Sequence, residues 1–133
     1  MENIKLQPNH KRSFSSSIYL LEKLAEEIRD VLTSDRQLLM QEIETDLDEE
    51  KRKRTLQAVE EIEEDIARLA DKYQLTKQMM VESHFLNSRK SKAWEILNDS
   101  LSKRMNGFGE FPVEMAAGFD ADIEHLLTLV NKL

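Results

Sequence analysis

The chain has no cysteine, three glycines and two prolines in 133 residues. Each scarcity excludes something. Without cysteine there is no disulfide, zinc–thiolate site or thiol nucleophile. All three glycines, Gly107, Gly109 and Gly118, lie late in the chain. No glycine-rich phosphate loop or dinucleotide fingerprint can therefore form before residue 107. There is no run of about 18 apolar residues, the length that a membrane-spanning helix needs. The opening MENIKLQPNHKR lacks the apolar core of a signal peptide. The expectation is a cytoplasmic protein that does not bind membranes.

Glycine and proline are also the main punctuation of a chain. From Asn9 to Asn106 neither occurs. What fills that stretch is charge and helical periodicity. Charged residues make up 34% of the chain, above the ordinary quarter, and the net charge is −7. That balance repels nucleic acid and anionic lipid, so neither is an expected partner.

Apolar residues recur in steps of three and four, the period of an amphipathic helix. Residues 1–13 lack that period and are read as a flexible N-terminal tail. The domain is read as 14–133. Ile18, Leu21, Ala25, Ile28 and Leu32 form a first stripe. Ser34 with Gln37 fits a capping box that would start a new helix, yet Leu39, Ile43 and Leu47 can extend the stripe; residues 15–47 are therefore read as either two helices or, the favoured reading, one long helix kinked near 33–35. Asp46 with Glu49 reads as a capping box opening a second helix, whose stripe is Leu56, Val59, Ile62, Ile66, Leu69 and Tyr73. Glu49–Lys53, Glu50–Arg54 and Glu64–Arg68 are spaced as surface ion pairs. Thr76 reads as the cap of a third helix, carrying Met79, Met80, Phe85, Leu86, Trp94, Leu97, Leu101 and Met105 up to Asn106-Gly107. Within it, Asn87–Lys92 is either an exposed turn of helix or a break. Pro112 opens a last helix with Ala116, Phe119, Ile123, Leu126, Val130 and Leu133 inward. Gly118 implies a close helix–helix approach, or a helix that starts nearer Asp120. The sum is an all-α fold, an antiparallel up-down four-helix bundle.

Chemistry is sparse. His10, His84 and His125 are never three or four residues apart, so neither a helical zinc pair nor a di-iron set is expected. The carboxylates Glu60, Glu61, Glu63, Glu64 and Asp65 read as a solvated face rather than a catalytic pair. The basic clusters at 11–12, 51–54, 89–92 and 103–104 lie on separate segments. No enzyme, cofactor or metal is expected.

One histidine supports a sharper alternative. Glu82-Ser83-His84-Phe85-Leu86-Asn87-Ser88-Arg89-Lys90 resembles, over that stretch alone, the phosphoacceptor segment of histidine phosphotransfer domains and sensor kinases. Asn87-Ser88 stands where phosphotransfer domains usually carry Lys-Gly. The resemblance implies that an exposed His84 takes a phosphoryl group, with Arg89, Lys90 and Lys92 offsetting its charge. The leading expectation is different: a non-enzymatic regulatory or adaptor protein that acts by protein–protein interaction and self-associates. Met79, Met80, Phe108, Phe111 and Met115 are its expected partner patch.

Overall fold

The computed structural model describes residues 5–35 and 37–133. Among them are five helices and no strand: α1 Pro8–Thr33, α2 Glu49–Lys72, α3 Glu82–Asn98, α4 Ser102–Met105 and α5 Val113–Val130. The chain divides into two compact units, one ending at Gln78 and one spanning Met79–Leu133.

In the first unit α1 packs on α2. α1 starts earlier than its periodicity suggested. Pro8 occupies its first turn, where a missing N–H costs nothing. Residues 8–13, expected in the tail, are therefore helical, and His10 lies on α1; residues 1–4 lie outside the described residues. α1 also ends earlier, so the long helix over 15–47 does not form. Ser34 takes the left-handed conformation at φ 58°. Its N–H reaches the Val31 carbonyl, and the Asp35 N–H reaches Asp30 O at 3.2 Å. That pair of bonds is a Schellman motif closed by serine instead of glycine. α2 ends the same way: Gln74 sits at φ 52° and the Leu75 N–H bonds Ala70 O at 2.9 Å.

The α1–α2 seam is narrow. Ile18 and Ala25 of α1 and Val59 and Ile66 of α2 are buried, with Leu32, Leu56, Leu69 and Tyr73 half-buried beside them. Arg29 crosses the seam and grips Glu63 by two bonds, Nη1–Oε2 at 2.7 Å and Nη2–Oε1. Arg52 Nη1 donates to the Leu32 carbonyl at 3.0 Å, satisfying an open group in the last turn of α1. At the other end Phe14 meets Tyr73 edge-on, with centroids 5.7 Å apart. Buried Ser15 accepts the Thr76 N–H there at 3.0 Å.

α2 opens at Asp48, not Asp46: Asp48 Oδ1 accepts the Lys51 N–H at 2.7 Å. Arg68 pairs with Asp65 at 2.7 Å rather than with Glu64. The expected cap at Thr76 is displaced too. Residues 75–81 are non-helical and α3 begins at Glu82, so Met79 and Met80 precede that helix.

In the second unit α5 packs on α3 and α4. Asn87–Lys92 is continuous helix, but α3 stops at Asn98 and the short α4 follows. Ile123 is buried, and Phe119, Leu127 and Val130 flank it half-buried. Leu126 and Leu133, expected inward, are 46% and 56% exposed, because Leu127 takes the inward position and the helix ends at Val130. Gly118 lies inside an unbroken α5, and a Cβ there would meet nothing within 4 Å. Neither reading of that glycine holds. The seam is tied by Trp94 Nε1 to Asn131 Oδ1 at 2.9 Å. Asp120 accepts the Ser102 N–H at 2.8 Å and the Ser102 hydroxyl at 2.6 Å, fixing the start of α4.

Candidate functional site

The most developed surface feature belongs to the first unit. α1 is apolar well beyond the strip that meets α2. Leu20, Leu24, Ile28 and Val31, spaced four, four and three apart, form a second stripe and are 58%, 55%, 42% and 44% exposed. Leu21, 39% exposed, joins this stripe to the buried seam. Half the circumference of α1 is thus apolar, although α2 covers only part of it.

The stripe continues into an open groove of about 530 Å³. Leu24, Ile28, Val31 and Leu32 form one wall, Leu47 and Thr55 the other, with Glu27 and Lys51 at its edges. Ile62, 36% exposed, lies two helical turns along α2 from Thr55 and extends the same face. On the order of 500 Å² of apolar surface is gathered here, near the upper end of what monomers ordinarily show.

The outer edge of the stripe is charged in a set order. Lys23 lies on the N-terminal side of the centre of this stripe, Glu27 and Asp30 on its C-terminal side. The α1 spacing was present in the sequence, but Leu20, Leu24 and Val31 sit off the stripe that makes the seam. Only the position of α2 separates the covered arc from the open one.

The residues expected to form a partner patch lie in three segments of the second unit. Met79 and Met80, 89% and 64% exposed, lie in the non-helical stretch before α3. Phe108 is 90% exposed in the loop after α4, and Met115 is 60% exposed in the first turn of α5. Phe111 instead stacks against Phe119 with centroids 4.9 Å apart, and its N–H is held by Asn106 Oδ1 at 2.8 Å.

His84 is exposed in the first turn of α3. The residues that share its helix face are Asn87, Ser88 and Ser91, three, four and seven positions on. The three cations are engaged elsewhere. Arg89 lies 4.5 Å from the Phe85 ring centroid, Lys90 reaches the Asn131 carbonyl at 3.4 Å, and Lys92 pairs with Glu95 at 3.5 Å.

Two groups are electrostatically tuned by their neighbours. The hydrogen bonds from the Ser102 hydroxyl and N–H hold the Asp120 carboxyl below its ordinary range. The hydrogen bond and charge of Asp65 raise the affinity of the Arg68 guanidinium for its proton. Among the described residues no group of three or more His, Asp or Glu is placed to hold a metal ion. Nor is any helix among them long and apolar enough to cross a membrane.

No family model, curated protein or solved structure matches this chain. The functional reading therefore rests on surface chemistry alone.

Proposed function

We propose that this is a non-enzymatic cytoplasmic protein of regulatory or adaptor type, acting by protein–protein contact and associating with itself. The observation that supports it is the second apolar stripe of α1 with its adjoining groove. Four large aliphatic side chains at helical spacing, rimmed by charge, are how an amphipathic helix presents itself to a partner helix. The antiparallel up-down four-helix bundle belongs to the same proposal. A two-helix hairpin with an open apolar face completes its core by taking up two more helices.

Sedimentation of the full chain across micromolar concentrations tests the reading, together with capture of partners from the native source. A concentration-dependent rise in mass supports self-association. A constant monomer mass, with nothing retained by the parent chain that a Leu24→Glu variant fails to retain, rejects the reading.

The phosphoacceptor reading of His84 has one observation in its favour, the exposure of the ring. It expects a phosphohistidine after incubation with a phosphodonor or a cognate histidine kinase. The interaction reading expects His84→Gln to leave association unchanged.

A further inference from the structure

Resting on self-association, we infer that the apolar face of α1 is a two-fold interface in which α1 of one copy lies antiparallel against α1 of a second. The two hairpins then form one four-helix core.

The order of residues along α1 selects this occupant. The stripe Leu20, Leu24, Ile28, Val31 is centred between Ala25 and Glu26. A two-fold axis through that centre sets Leu20 of one copy against Val31 of the other. It also sets Leu24 against the turn that holds Glu27 and Ile28. Aliphatic meets aliphatic at both ends, so the surface is complementary to itself, as an isologous interface requires.

The charged edge decides direction. In the antiparallel arrangement Lys23 of each copy meets the Glu27–Asp30 edge of the other, giving two equivalent opposite-charge contacts. A parallel two-fold arrangement would put the Lys23 edges of the two copies on opposite sides of the interface, and these opposite-charge contacts would be lost. Leu47 and Ile62 border the same face, so the α2 helices of both copies close over the new core. A membrane surface suits this face less well, because its rim carries Glu27 and Asp30 and the chain is acidic overall.

The absence of cysteine makes the geometry directly testable in the full chain. Leu20→Cys and Val31→Cys chains are prepared separately, then oxidised alone and as a mixture. Antiparallel pairing predicts that the mixture forms the hetero-disulfide while each variant alone cross-links weakly. Parallel pairing predicts the reverse, and that result overturns the inference. Sedimentation supplies the second arm. Leu24→Glu, at a position already 55% exposed, is expected to leave helical circular dichroism intact and to yield monomer. Lys23→Glu is expected to weaken association by roughly tenfold, and adding Glu27→Lys to recover most of the loss.

If the chain associates but is indifferent to Leu24→Glu, self-association survives and this interface is wrong. If Leu24→Glu loses helicity, Leu20→Lys replaces it as the disrupting variant under the same criterion. If the parent chain is monomeric throughout, the inference falls together with the self-association it rests on.

Discussion

Ser34 and Gln74 carry a cost that glycine would not. At φ 58° and 52° their Cβ atoms crowd the backbone in a region L-residues avoid, by about 1–2 kcal/mol. Ser34→Gly and Gln74→Gly relieve that crowding and give part of it back as unfolded-chain entropy. Each should stabilise the protein by up to about 1 kcal/mol, read as a higher denaturant midpoint with unchanged slope. These two residues also explain where the sequence misled. Both helix ends of the first hairpin close on non-glycine residues, so a search for glycine finds no stop between Asn9 and Asn106. In the sequence these stops showed only as a kink near 33–35 and a cap at Thr76; the hydrogen bonds make them full helix ends. Asp120 is the other residue with a definite expectation. Its carboxyl titrates below its unfolded value, so its stabilisation is present above the ordinary carboxylate range and is lost as pH falls through the lowered value. Asp120→Ala should therefore be less stable than the parent at neutral pH. The gap should narrow in thermal melts as pH falls below the ordinary carboxylate range.

At the level of elements, the α1–α2 hairpin combines a thin apolar seam with one polar crossing. Arg29 and Glu63 are 36% and 30% exposed at their side chains, so the pair is neither buried nor free in water. Its two-pronged geometry gives direction as well as attraction. Glu63→Ala should cost about 1 kcal/mol by leaving Arg29 unpaired beside the seam. Replacing both by leucine should restore stability, since the site borders Ile66 and Ala25 and favours apolar side chains. A double-mutant cycle on thermal or denaturant unfolding measures the coupling. The periodicity of α1 and α2 was legible in sequence because stripes at three and four encode a helix face directly. Their boundaries were not, because Asp46 and Asp48 are equally good caps on paper. Glu63 was legible as surface charge but not as a seam residue. Its role depends on Arg29 standing opposite, and no single helix contains that information. The open stripe of α1 falls under the same heading: spacing marks a residue as apolar-facing, and only a neighbour decides whether it is covered.

At the level of the whole molecule, charge and apolar surface act against each other. Two copies at −7 repel as they approach, while burial of Leu20, Leu24, Ile28 and Val31 draws them together. Salt screens the first and leaves the second nearly untouched. Self-association should tighten by roughly two- to tenfold between low and physiological ionic strength, despite screening of the Lys23 contacts at the rim. Sedimentation at matched protein concentration checks the sign, and weaker association in salt would show that the charged rim dominates. The all-helical class was readable from the scarcity of glycine and proline together with the three–four period. The division into two hairpins was not, because nothing in the residues around Gln78 breaks composition or charge.

That division has an optical consequence. The only tryptophan, Trp94, belongs to the second hairpin, where its indole N–H is tied to Asn131 beyond the end of α5. Both tyrosines, Tyr19 and Tyr73, belong to the first. Indole emission, excited beyond the phenol band, therefore watches the second unit alone, with no label added. A denaturation curve followed by that emission and by helical circular dichroism would reveal whether the two halves of the chain melt as one unit or in turn.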